Sequence, residues 1–123
     1  MNRIEKTEET VRALYGQEAS PLRVTAPENQ KNLQDYLSAY CFGDFCTRKF
    51  LTIPERELLT FAVLASQGGC EPQVRAHVGG NAAVGHGKET LLAALSVCIP
   101  YIGFPRTLNA LGCINEVLPE KKA

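Results

Sequence analysis

The chain is predicted to be all-α on three observations. Apolar residues recur at three- and four-residue spacing, no segment alternates as a half-buried strand does, and the last four periodic segments are joined by short connections. Short connections favour antiparallel neighbours. About six helices are expected, in one domain: residues 1–27 as an N-terminal helix and connector, residues 28–123 as the core.

The first helix is expected from Arg3 to Tyr15, with Ile4, Val11, Leu14 and Tyr15 as a sparse apolar side. Gly16 to Pro27 contains Ser20-Pro21 and Ala26-Pro27 and reads as a connector. The second helix should run from Glu28 to about Cys41, burying Leu33, Tyr36, Leu37 and Tyr40, before Phe42-Gly43-Asp44-Phe45 bends the chain. The third has the strongest signals. Thr47 or Thr52 offers a cap, Pro54 suits the first turn, and Glu55 and Glu57 complement the helix dipole. Leu58, Leu59, Ala62, Val63 and Ala65 give it a wide apolar side, so it should be central.

The fourth helix opens at Cys70 and ends by Gly85. Gly79 and Gly80 in its middle cost roughly 1 kcal/mol each relative to alanine, which points to a close backbone approach or a local break. The fifth should run from Lys88 to Ile99, burying Leu91, Leu92, Leu95 and Cys98. The sixth opens at Pro105 and buries Leu108, Leu111, Ile114 and Leu118. Tyr40, Phe42, Phe45, Phe50 and Phe61 are expected to pack the core. The first two helices are thinly apolar, and helices four and six carry many small residues, so the protein is expected to share its burial between subunits as a homo-oligomer.

At 123 residues the chain can bury one modest core. Its formal net charge is zero, so no basic field draws nucleic acid or an anionic membrane. The longest apolar run, Leu91 to Phe104, is interrupted by Ser96, Pro100 and Gly103 and falls short of the 18 or so residues of a membrane span. Met1-Asn2-Arg3-Ile4-Glu5-Lys6 lacks the apolar stretch of a signal peptide, so a cytoplasmic location is expected. Five cysteines at irregular spacing argue for reduced thiols, not a disulfide scaffold. No C-x-x-C pair exists, and His77 and His86 lack the spacing of a closed zinc site; no metal is expected.

The most chemical segment is Gly69-Cys70-Glu71-Pro72-Gln73-Val74-Arg75-Ala76-His77. Pro72 has the fixed φ of a first helical turn, and Gly68-Gly69 stops the helix before it. Cys70, Gln73 and His77 then follow i, i+3, i+7 along one face. Free backbone N–H groups at a helix N-terminus favour a thiolate, and a histidine two turns on supplies a titratable base.

From about Leu51 to Val117 the chain resembles the carboxymuconolactone decarboxylase family, which includes the alkylhydroperoxidase D-like proteins. The residues that carry the likeness are Arg56-Glu57-Leu58-Leu59-Thr60, then His77 followed by small residues and Gly85, then Lys88-Glu89. Tyr101-Ile102-Gly103-Phe104-Pro105 with Leu108-Asn109-Ala110 completes it. The resemblance implies an alkylhydroperoxidase D-like helical bundle assembled as trimers or hexamers. It also implies one of two chemistries. The alkylhydroperoxidase D-like members use C-x-x-C-x-x-x-H with an upstream glutamate. Cys70 matches the first cysteine, His77 the histidine, and Glu57 lies near the glutamate position, but Gln73 replaces the second cysteine. The decarboxylase members act on a lactone dicarboxylate without a thiol, and His77 matches their histidine.

Three functional readings follow. In the leading one the protein is a thiol-dependent oxidoreductase that reduces a peroxide or a disulfide. Cys70 is the nucleophile, Glu57 and His77 handle protons, and Cys41 or Cys46 resolves the oxidised sulfur. A dithiol or a thioredoxin-type protein restores it, and no other cofactor is expected. In the second the protein is a decarboxylase for a small carboxylated lactone, with His77 as acid/base and Arg56 and Arg48 as substrate clamps. In the third it is a non-catalytic oligomer that binds a ligand. Cys98 and Cys113 are expected in the core, His86 in a solvated loop, and Arg106 at the surface or an interface.

Overall fold

The computed structural model describes residues 3–15, 26–45 and 48–120. Every regular element among them is helical. They cluster into two compact units, Met1–Ile53 and Pro54–Ala123, each described by itself below.

The first unit holds α1 (Arg3–Tyr15), whose ends agree with the sequence reading. Val11 and Leu14 are buried, as expected; the side chains of Ile4 and Tyr15 lie outside the described residues. Thr7 and Thr10 join the buried side, their hydroxyls satisfied by backbone carbonyls. Thr10 Oγ1 donates to Lys6 O, and Thr7 Oγ1 lies 2.7 Å from Ser38 O and 2.8 Å from Arg3 O.

The second expected helix is corrected in two ways. It is a composite of a 3₁₀ turn (Glu28–Gln30), α2 (Lys31–Leu37) and a π-helical segment (Ser38–Phe45), so Phe42 to Phe45 continue the helix where a bend was expected. The wider π turn shifts the face that α1 covers onto Ser38 and Gly43. Leu33, Tyr36, Leu37 and Tyr40, expected inside, are exposed. Tyr40 instead packs against Phe45, ring centroids 4.6 Å apart, and Phe50 is 98% exposed; none of these three is a core residue. The connector 16–25 and Cys46-Thr47 lie outside the described residues.

The second unit holds α3 (Ile53–Gln67), α4 (Glu71–Ala83) and α5 (Lys88–Val117). Pro54 falls in the first turn of α3, as its fixed φ requires. Phe61 and Ala65 of α3, Val74 and Val78 of α4, and Leu91, Leu95, Ala110 and Ile114 of α5 form one core. Only part of the apolar side expected of α3 is inside: Leu59 and Val63 are exposed.

The expected fifth and sixth helices are joined in α5, and the break between them survives as one residue. Gly103 has φ 77° and ψ 176°, outside helical geometry and in a region that a Cβ disfavours. Pro100 and Pro105 flank it, each removing one backbone donor. Counted as one span across Gly103, α5 is long and apolar enough to cross a membrane by length and composition only; the interruption read at Gly103 is present as the non-helical residue. Leu108 is exposed and Cys98 half-buried, both expected inside.

Candidate functional site

Gly68 and Gly69, both with φ near +70°, turn the chain from α3 into α4. Cys70 is the N-cap residue and Pro72 sits in the first turn, so the sequence placed this helix start correctly. The half-buried Cys70 thiol donates to Leu64 O at 3.3 Å. It also borders a small open cleft with a cavity volume of only about 10 Å³, whose walls include Leu64, Val74, Arg106, Asn109 and Ala110. Neither Glu57 nor His77 lines that cleft. Seven residues of helix rise about 10.5 Å, so Cys70 and His77 share a face without sharing a contact along it.

One turn into α3, Glu57 is buried, its side chain 4% exposed. It meets His77 of α4, 15% exposed, with Glu57 Oε1 and His77 Nδ1 2.5 Å apart. An ionised carboxylate can only accept, so against one Nδ1 is the donor and Nε2 is the ring nitrogen left to face a substrate. Gly80, one turn beyond His77 on α4, makes room for this pair. A methyl group there would run into Glu57 Oε1 and come within 3.1 Å of Glu57 Cδ. The glycine therefore admits a side chain, neither a second backbone nor a break, and α4 is continuous through it.

Asn81 was not anticipated. It is fully buried, and its Nδ2 donates to His77 O at 2.7 Å and Glu57 O at 3.1 Å. Its Oδ1 is 2.8 Å from His86 Nδ1, and the His86 backbone N–H donates to Asn81 O at 2.9 Å. His86 is thus half-buried and bonded, not a solvated loop residue. The signal available in the sequence was the four-residue step from His77 to Asn81, which puts both on one helical face.

The remaining predicted residues are placed as follows. Arg56 precedes Glu57 on α3 and is half-buried, its carbonyl accepting from Thr60 Oγ1. Arg48, in the first unit, stacks its guanidinium 4.6 Å over Phe45. Cys41 is half-buried in the π-helical segment of that unit, and Cys46 lies outside the described residues. Cys113 is buried in the core of the second unit, its Sγ 3.7 Å from Glu71 O. Burial pushes the Cys113 thiol up from its ordinary value, only partly offset by Arg75. Arg106, expected at the surface or an interface, is exposed; it spans the α3–α4 turn, with Nε 3.4 Å from Gln67 O, and forms part of the Cys70 pocket. Among the described residues no group of three or more His, Cys, Asp or Glu is arranged to hold a metal ion.

In this helical scaffold α3 and α4 hold a buried carboxylate against an imidazole. Residues 31–116 match the model of the carboxymuconolactone decarboxylase family, and the chain belongs to that family. The match runs from the start of α2 to within a residue of the end of α5. The family includes alkylhydroperoxidase D-like peroxidases and decarboxylases. No curated protein matches the chain.

Proposed function

We propose that the protein is an acid/base enzyme whose working atom is His77 Nε2, acting as a decarboxylase on a small carboxylated lactone. The observation that carries this reading is the Glu57–His77 pair, complete without any thiol. The carboxylate fixes the ring's tautomer and stabilises the imidazolium that forms when Nε2 takes a proton. In a decarboxylation the C–C bond to the carboxylate breaks, its electron pair passes into the substrate's conjugated carbonyl, and carbon dioxide leaves. A proton that Nε2 takes from solvent is then delivered by the imidazolium to the carbon that lost carbon dioxide. Arg56, beside Glu57 on α3, is the proposed carboxylate anchor. The test is turnover of a carboxylated lactone by Cys70→Ser beside the parent. Rates within about threefold are expected, because a serine at the N-cap keeps the helix start. Loss of turnover in Cys70→Ser would overturn the reading.

A second reading, the thiol-dependent oxidoreductase, is favoured by the pocket beside Cys70. The Cys70 thiolate would attack a peroxide oxygen, releasing the alcohol or water and leaving a sulfenate. Cys41 or Cys46 would then displace water to form a disulfide, and a dithiol or thioredoxin-type protein would reduce it. It ranks second on two grounds. The Cys70 thiol donates to Leu64 O, a bond that only the protonated sulfur makes, and the helix separates it from His77 by about 10.5 Å of rise.

Either chemistry is proposed to run in a homo-oligomer, a trimer or hexamer. Val97 and Tyr101 on one side of the Gly103 break, and Phe104 and Leu108 on the other, are all exposed, an apolar surface of the kind that marks an association site. Light scattering should therefore give a mass several times the 13.4 kDa of one chain. A 13.4 kDa particle at micromolar concentration would sink the proposal.

A further inference from the structure

We infer that Asn81 is a positioning residue for the dyad, and that His86 completes it by satisfying the last polar atom of the Asn81 amide. The inference rests on the acid/base reading of Glu57 and His77. Two carbonyl oxygens, of Glu57 and His77, face Asn81 Nδ2, and carbonyls only accept, so the amide has a single orientation. Oδ1 must then accept, and His86 Nδ1 must donate to it. One buried amide thereby ties together the backbone of both dyad residues, on α3 and on α4, and the turn that leaves α4. A shift of α3 along α4 would break the Asn81 bond to Glu57 O in the same movement that separates Glu57 Oε1 from His77 Nδ1. The chemistry asked of Asn81 is to hold a register, so that the short Glu57–His77 bond is made before any substrate arrives. His86 Nδ1–H is committed to Asn81 and has no proton to give from that atom.

The experiment uses the full-length protein with 15N-labelled histidine. In the parent, the His77 Nδ1 proton should resonate far downfield, as a proton in a short bond to a carboxylate does. Asn81→Leu, which keeps the bulk and removes the amide, should lose that downfield signal and lower kcat at least tenfold with KM within about threefold. His86→Ala should broaden the signal and lower kcat several-fold. His86→Gln, whose side-chain amide can again donate to Oδ1, should restore both. A downfield His77 signal and parent kcat in His86→Ala and Asn81→Leu would overturn the inference. So would failure of His86→Gln to recover more than His86→Ala, and this pair keeps the test decisive if Asn81→Leu does not fold. The nitrogen spectra need no substrate, so a lactone that is never turned over refutes the functional reading while the spectra still decide the positioning.

Discussion

Replacing His77 with alanine is expected to lower kcat on a carboxylated lactone by about two to four orders of magnitude, the usual worth of a positioned acid/base group. Nε2 is the atom that leaves, and the side-chain amide bonded to the dyad backbone offers no basic nitrogen to replace it. Asn81 is held by carbonyls, and His86 has its Nδ1 proton committed to Asn81. The substitution also strands the Glu57 carboxylate, 4% exposed, without its partner. Breaking a buried pair from one side costs about 3–5 kcal/mol, so a parallel variant is needed to separate folding from chemistry. His77→Gln serves, because its amide can still donate to Glu57 while offering no basic nitrogen. It should fold close to the parent and show the same loss of kcat. Glu57→Gln keeps an acceptor for Nδ1–H but carries no charge to stabilise the imidazolium, and should fall between parent and His77→Gln. A His77→Gln enzyme that retains the parent kcat would end the acid/base reading.

The helix starts were legible because they rest on local chemistry. Pro54 and Pro72 each fall in a first turn, and Gly68-Gly69 stops α3 where the sequence predicts it. The break near Gly103 was legible for the same reason, although the two helices it separates run on as one span. The π-helical segment was not. Its eight residues, Ser38–Phe45, keep an apolar pattern that suits an α-helix, and only packing against α1 selects the wider turn and leaves Tyr40 outside. The exposed residues of α5 misled in another way: Leu108 has the spacing of a core residue, and periodicity marks an apolar face without saying whether the chain itself covers it.

The site was legible in part. Glu57 and His77 were both named, on the strength of a family resemblance, but their contact joins residues twenty apart on different helices, and no local pattern states it. Cys70 drew attention because a thiol at a helix start is chemically conspicuous. Asn81 is conspicuous only once its two carbonyl partners are known, since an asparagine on a helix is as often a solvated residue. Gly80 lies between these cases. Its oddity was visible as a helix-interior glycine, yet what it makes room for is the carboxylate of Glu57.

Gly80 and its neighbour should therefore respond to the same substitution with opposite signs. Alanine in place of a helix-interior glycine is worth about 1 kcal/mol in favour of folding. At Gly79 a Cβ meets nothing within 4 Å, so Gly79→Ala should raise stability by up to about that amount and leave kcat unchanged. At Gly80 the new methyl occupies the place of Glu57 Oε1, and the carboxylate has no solvent to swing into. It must move off His77 Nδ1 while staying buried. The cost of about 3–5 kcal/mol for a buried charge without its partner exceeds the propensity gain, leaving a net loss of about 2–4 kcal/mol. Denaturant midpoints measured on Gly79→Ala, Gly80→Ala and the parent read this directly. Gly80→Ala should also lose kcat to the level of Glu57→Gln or below, since it breaks the same bond from the opposite helix. A Gly80→Ala protein as stable and as active as Gly79→Ala would mean that Glu57 does not sit against α4 at this position, and the dyad would lose its structural basis.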